Sequence, residues 1–364
     1  FKVMEYGANA LGYKECHTGN MSINSEPRDG RPACHQIGFC MAGCAIGAKW
    51  SILYTEIPKA EATGHFELRP ESMVLKINHG KDGKATGVVY VDADGNTQEQ
   101  KARVVAIAGN AVETPRLLLN SESSMFPDGM ANSSGQVGKN FMRHTTATVY
   151  ATMPGAVYWD RGTQMAGIIM DEVHNNPNRG FVGGYYMQTL PGFGLAWYSG
   201  NVGGMSKDSP GKWGRNYTRE VVENYRNMAG MWLVGEDMPQ EKNGVTLHES
   251  EKDQHGLAVP IVNFEDHAND VAMRNHAFIA GSNVYQAGGS KKQYQLGPFP
   301  STHNMGTCRM SKNARDGVCN STGATHDVPN VFISDGSQFT TGAACNPTLT
   351  IVSLAIRQAE NMAN

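Results

Sequence analysis

No run of about 18 apolar residues occurs anywhere in these 364 residues, and no charged stretch leads into an apolar one near the start. Neither a membrane span nor an export leader is therefore expected in the chain itself; any membrane link is expected to come through another subunit. No block of one charge sign appears either. The 31 basic and 34 acidic residues are intermixed and leave a formal net charge of -3, so there is no basic face for nucleic acid and no acidic tail. Internal repeats and low-complexity linkers are missing too, which sets aside solenoids and disordered arms.

What is present suits a compact enzyme. Hydrophobic residues make up 40 % and charged residues 18 %, with 42 glycines gathered at turns, enough for one large or two ordinary domains. From Phe1 to Gly47 no period of 3.6 or 2 persists, and that segment reads as mostly irregular. Beyond it the pattern turns β. His65–Leu68, Met73–Ile77 and Gly87–Val91 alternate, the last running to the turn Asp94-Gly95, and Val104–Ile107 makes a short buried strand. Ala108-Gly109-Asn110 then leads into a helix over Val112–Asn120, started by Glu113-Thr114-Pro115. A strand, glycine turn and helix in this order is the unit that meets nucleotides in α/β folds.

Residues 141–300 mix glycines and aromatics among strands such as Gly230–Gly235 and Val245–Leu247, as in a second, antiparallel layer with helices. A helix over Asn269–Tyr285 is expected to turn Val271, Phe278 and Tyr285 to one stripe. Trp159, Tyr185, Tyr186, Trp197, Tyr198 and Trp232 are candidates for stacking on a sugar, with core packing as the plainer alternative. The chain then reads as strand Val331–Ile333, the turn Asp335-Gly336, and a terminal helix over Asn346–Met362. Asn346 would cap that helix, Pro347 would stand at its first position, and Leu349, Val352 and Ile356 would face the core.

Three of seven cysteines crowd into Cys34-x5-Cys40-x3-Cys44. Such thiolates call for a metal or for oxidation. One reading is zinc, with Cys16, His17 or His35 completing four ligands; a second is a disulfide from Cys34 to Cys40 or Cys44. A third is a cuboidal iron-sulfur cluster with one vacant iron corner, which needs three thiolates, with Gly38 and Gly43 letting backbone N–H groups approach its sulfides.

The cysteine segment, from Asp29-Gly30-Arg31-Pro32 to Ala45-Ile46-Gly47-Ala48-Lys49, resembles that of multi-subunit bacterial dehydrogenases for glucose, gluconate, sorbitol and fructose. These belong to the glucose-methanol-choline (GMC) oxidoreductase family. Ser301-Thr302-His303-Asn304-Met305-Gly306-Thr307-Cys308-Arg309-Met310 resembles that family's H-x-x-G-T-C-R-M box. Val331–Ser337 and Gly342-Ala343-Ala344-Cys345-Asn346-Pro347-Thr348 resemble its final box. The resemblance implies an α/β flavoprotein with a Rossmann-like FAD-binding domain from 1–140 and 301–364, an iron-sulfur segment at 29–49, and an antiparallel-sheet substrate domain from 141–300.

It also implies site residues. A hydride leaves an alcohol carbon readily only as the hydroxyl proton is lost, so a base of near-neutral pKa is needed beside the flavin, and His303 suits that task. Asn346 would share the substrate hydroxyl. Pro347 and Thr348, at a helix N-terminus, would face the flavin pyrimidine. Asp335 and Gly336 would offer main-chain groups to the ribityl and diphosphate part, Val74 its backbone to the adenine, and Ala108 and Gly109 a further cofactor turn. Cys34, Cys40 and Cys44 would hold a 3Fe-4S cluster.

The implied reaction is oxidation of a sugar, sugar-acid or polyol hydroxyl, with the 3-hydroxyl of a glucoside as the runner-up. Electrons would pass to a cytochrome c subunit or quinone. A small exported chaperone-like subunit would carry the complex to the periplasm at the inner membrane. The family places a first strand, a G-x-G-x-x-G turn and a ribose-binding acid ahead of the cysteine segment. None is found here, so a partial chain is expected. Outside the family, a zinc-stabilised carbohydrate-binding module is the alternative.

Overall fold

The computed structural model describes residues 1–19, 21–190, 195, 198–199, 213–297 and 301–363. They pack as two units, one of Phe1–Glu67, Thr145–Gly235 and Val271–Pro300, the other of Leu68–His144, Glu236–Asp270 and Ser301–Asn364. This division departs from the expected one in two places. The cysteine segment at 29–49 goes with the sheet unit, because the chain leading to it contributes β1 (Cys16–Thr18) to that sheet, opposite Ile169, Ile168 and Gly167. Residues 236–270 go with the other unit, where Val245 N donates to Gly138 O at 2.7 Å and Arg116 reaches Asp253.

The first unit is built on a six-stranded antiparallel sheet. Besides β1 it contains β6 (Thr145–Thr152), β7 (Gly167–Ile169), β8 (Tyr185–Leu190), β9 (Met228–Gly235) and β12 (Lys292–Leu296), in the order β1-β7-β8-β9-β6-β12. Side chains alternate across a strand, and here both faces are buried. Ala147, Val149 and Ala151 join Met187, Met231 and Leu233 in one core. Tyr150, Tyr186, Trp232 and Val234 join Trp159, Tyr198 and Tyr225 in the other. The candidate platforms Trp159, Tyr185, Tyr186, Tyr198 and Trp232 are therefore interior residues of two packed cores, a correction to the stacking reading; Trp197 lies outside the described residues.

The long helix Ala268–Ala287 covers the first core with Met273, Ala277, Ala280, Val284 and Tyr285. Of the expected stripe, Tyr285 is buried in this core and Phe278 packs against it, while Val271 is exposed. The helix Lys2–Ala10, unforeseen in the irregular opening, packs on the same core through Met4 and Ala8. Gly7 makes this contact possible, since a Cβ there would stand 1.9 Å from Val284 O.

The second unit holds the meander β2 (Met73–His79), β3 (Ala85–Val91) and β4 (Thr97–Lys101). It also holds the hairpin of β10 (Gly244–Lys252) with β11 (Ala258–Asn263) and the parallel pair of β5 (Val105–Ile107) with β13 (Val331–Ile333). The expected strand at His65–Leu68 does not form. The expected strand, glycine turn and helix does, with the helix spanning Asn110–Asn120. Pro115 lies inside that helix and cannot donate to Ala111 O; the buried Thr307 hydroxyl donates to that carbonyl instead, at 2.8 Å. Among the described residues no helix is long and apolar enough to cross a membrane.

Leu233, buried at the centre of β9, is a direct probe of the first unit. Leu233→Ala is expected to lower stability by about 2–5 kcal/mol, measured as a lower denaturant midpoint at unchanged slope.

Candidate active site

Two segments of the second unit that belong to no long strand are joined by a short antiparallel bridge. Met142 N donates to Met305 O at 2.9 Å and Met305 N donates to Met142 O at 2.8 Å. Two residues on from Met142 is His144, and two back from Met305 is His303. In antiparallel register those two stand opposite each other with side chains on one face. Their Nδ1 atoms are 2.9 Å apart, with the rings nearly perpendicular at 83°. Gly306 allows the close approach. Its φ is +95°, and a Cβ there would lie 2.1 Å from Asn140 O.

The hydrogen bonds settle the tautomers. His144 Nε2 lies 2.9 Å from the Gly342 carbonyl, which can only accept, so Nε2 carries the hydrogen. His144 Nδ1 is then an acceptor, and His303 Nδ1–H donates to it. The basic lone pair of His303 is thereby placed on Nε2. Burial pushes the pKa of His303 down to about 4, and the neighbouring His144 adds to the shift. Burial also lowers His144, against the opposing pull of the Gly342 carbonyl. The near-neutral base expected from the chemistry is thus corrected: His303 is an uncharged imidazole throughout the physiological range.

The other expected residues fall as follows. Asn346 is exposed, just before the terminal helix Thr348–Ala363, whose first bond runs from Ile351 N to Pro347 O at 3.0 Å. That start is one residue later than the capping expectation. The helix turns Ile351, Val352, Leu354, Ala355 and Gln358 inward and leaves Leu349 and Ile356 exposed, a correction to the expected stripe. Asp335 is buried, its carboxylate occupied by Ser337 N at 2.8 Å and by the Thr114 hydroxyl, and Gly336 begins the turn it caps.

Val74, Ala108 and Gly109 do come together, as parts of the lining of one cleft of about 680 Å³ whose walls are largely apolar, with Met73, Ala106 and Leu117 beside them. An apolar slot with main-chain groups at its rim fits a flat heterocycle.

The cysteine segment, in the other unit, is stiffened by left-handed residues at Gln36, Gly38, Phe39, Gly43 and Gly47. Gln36 N donates to Cys34 Sγ and Lys49 N to Cys44 Sγ, each at 3.4 Å. Burial would raise the Cys44 thiol, yet the backbone N–H groups of Lys49, Ile46, Ala48 and Gly47 hold it below its ordinary value. None of the seven cysteines forms a disulfide. Among the described residues, however, no three His, Cys, Asp or Glu side chains converge to hold a metal ion. That bears on a single-ion site, such as zinc completed by Cys16, His17 or His35; the thiolates of an iron-sulfur cluster each bind a different iron and need not converge on one point.

Comparison with known proteins bears on this arrangement. Residues 2–146 match the N-terminal model and residues 239–355 the C-terminal model of one family, both described as GMC oxidoreductase. The chain belongs to the GMC oxidoreductase family. It is 38 % identical over 360 residues to 2-methyl-1,2-propanediol dehydrogenase of Mycolicibacterium austroafricanum, covering 96 % of this chain and 64 % of that protein. It is 28 % identical over 350 residues to the fructose dehydrogenase large subunit of Gluconobacter japonicus, covering 94 % and 61 %. This GMC oxidoreductase thus spans somewhat under two thirds of the length of those relatives. The crystal structure of pyridoxine 4-oxidase from Mesorbium loti shares its fold, with a TM-score of 0.65 at 14 % identity over 99 % of this chain and 68 % of that one.

His144 carries no local signal, lying 159 positions from its partner, and Gly342, though inside the final box, shows its role only through this carbonyl contact. Two outcomes are expected. The folded pKa of His303 lies below its ordinary 6.5, so its contribution to stability is complete above pH 6.5 and lost as pH falls toward 4. The stability margin of wild type over His303→Gln should therefore shrink by up to about 1.4 kcal/mol per pH unit across that window, read from denaturant melts. A methyl on Gly342 would lie 3.2 Å from His144 Cδ2 and 3.4 Å from Nε2. Gly342→Ala should displace the ring and lower turnover on the order of tenfold, equivalent to about 1.4 kcal/mol, in steady-state assays.

Proposed function

We propose that this GMC oxidoreductase is an FAD-dependent dehydrogenase that oxidises a hydroxyl of a polyol, sugar or sugar acid, with His303 as the general base. The observation that carries the reading is the chain from His303 through His144 to the Gly342 carbonyl, which fixes a neutral imidazole with its lone pair on Nε2. FAD, when bound, supplies the acceptor for the hydride leaving the carbinol carbon. Val74, Ala108 and Gly109 would hold its adenine end, Asp335 and Gly336 would lend main-chain groups to its middle, and Pro347 and Thr348 would stand at its pyrimidine. His303 Nε2 takes the hydroxyl proton as the C–H bond weakens. His144 keeps the ring in that tautomer, and Asn346 orients the hydroxyl.

The substrate class is supported by the relatives, one named for a branched diol and the other for fructose. A C-glycoside 3-oxidase relative of Arthrobacter globiformis supports the 3-hydroxyl of a glucoside as the second reading. That one relative is named as a large subunit supports partner subunits; a small chaperone-like subunit, a cytochrome c and a periplasmic site at the inner membrane rest on sequence resemblance alone. Cys34, Cys40 and Cys44 would hold a 3Fe-4S cluster, and no step is routed through one. It would require about three irons with labile sulfide per flavin.

In the flavin-loaded protein, anaerobic addition of 2-methyl-1,2-propanediol, fructose or gluconate is expected to bleach the flavin band for at least one of them. His303→Gln should keep the flavin spectrum and slow that bleaching by on the order of 10²–10⁴. Bleaching at the wild-type rate in the variant would remove His303 from the chemistry.

A further inference from the structure

Asp237 is a buried group for which the chemistry above has no task. It is 1 % exposed. Its Oδ2 accepts from Arg143 N at 2.8 Å, and its carboxylate also takes the N–H of His144. Its Oδ1 is buried with no hydrogen-bond partner among the described residues. That oxygen faces the space beside the His144 ring, for a methyl on Gly342 would stand 3.2 Å from Asp237 Oδ1 and 3.2 Å from His144 Cδ2. The backbone of His144 is left-handed at φ +62°, a conformation that a non-glycine residue keeps only when its surroundings impose it.

We propose that Asp237 is a positioning residue for the base, one carboxylate oxygen holding the left-handed turn at Arg143 and His144 while the other turns a negative charge toward the histidine pair as it gains the substrate proton. This rests on the reading of His303 as that base. The uptake converts a buried neutral pair into a buried cation, and a carboxylate inside the same dry pocket offsets part of the cost. The charge is not already spent. Arg143 sits 4.1 Å over the Phe264 ring and 3.9 Å from Asp266, and so shares its charge with another carboxylate.

The other titratable groups facing this cluster are Glu236, which acts on His144, and Asp270, whose carboxylate accepts from Met238 N and His267 N. Burial raises Asp237 to about 6, and Asp270 likewise. Asp237 is therefore charged at neutral pH and discharged on acidification through 6, well before His303 takes a bulk proton.

The test is Asp237→Asn in the holoenzyme, which keeps the shape and the acceptor oxygen and deletes the charge. Turnover is expected to fall on the order of tenfold with KM nearly unchanged, and the acid limb of wild-type turnover near pH 6 should vanish. In ¹⁵N-histidine-labelled holoenzyme, the His303 titration midpoint should move lower by on the order of one unit. Wild-type turnover, pH profile and midpoint in the variant would overturn the proposal. Should the variant not fold, the wild-type spectrum decides: a step near pH 6 in the His144 resonances supports it, and their constancy from pH 5 to 8 overturns it. Retained activity in His303→Gln would instead sink the base assignment, and with it this proposal.

Discussion

Two main-chain hydrogen bonds between Met142 and Met305 hold the site together. Neither segment lies in a long strand, so register rests on a few main-chain bonds, this bridge and Gly138 N donating to Thr307 O at 2.8 Å, which set which side chains oppose one another. It puts His144 across from His303. Gly306 is needed because the segments meet backbone on backbone, where a Cβ would collide with Asn140 O. Thr307, next in the chain, donates to the carbonyl that Pro115 cannot serve. The spacing of the H-x-x-G-T box thus has a mechanical reason at each fixed position: a histidine set opposite His144, a glycine for the approach, a threonine to tie the approach to the helix Asn110–Asn120.

A pKa near 4 changes how the proposed base is understood. Brønsted behaviour favours a base whose pKa lies near the working pH, and burial moves His303 away from that optimum. In exchange, the imidazole is uncharged at neutral pH. The weakness matters less when the proton arrives in step with hydride departure, since the hydroxyl grows more acidic as the carbonyl forms. The tautomer matters more. An imidazole hydrogen on Nε2 would leave no lone pair facing a hydroxyl, and the Gly342 carbonyl, acting through His144, excludes that form.

Local apolar patterning revealed β2, β3 and the short buried β5, and the glycine turn after β5 announced its helix, because those features are local. His303 and its box were likewise legible as a contiguous string. His144 and Asp237 were not, since each matters only through a contact far away in sequence. The division into units escaped for the same reason, as β1 pairs with a strand some 150 residues on. The aromatics misled because a strand with both faces covered shows no polar side, so burial of Tyr186 or Trp232 depends on what packs over the sheet. In the terminal helix, apolar residues on two adjacent faces left its rotation open until Gln358 was found inward, donating to Ile333 O at 2.9 Å.

The cysteine segment separates two things that spacing alone runs together. Backbone N–H groups aimed at Cys34 and Cys44, and the lowered Cys44 thiol, show a loop shaped around individual sulfurs rather than around a disulfide. Left-handed residues between the cysteines give that loop its turns, and a Cβ on Gly38 would meet Asp160 O at 2.5 Å, so the turn is pressed against its own unit. A single-ion centre asks for more: three ligands converging on one ion, a condition that no set of His, Cys, Asp or Glu side chains among the described residues meets. Stabilising thiolates one at a time and gathering ligands on one ion are different structural tasks, and the loop as folded performs the first.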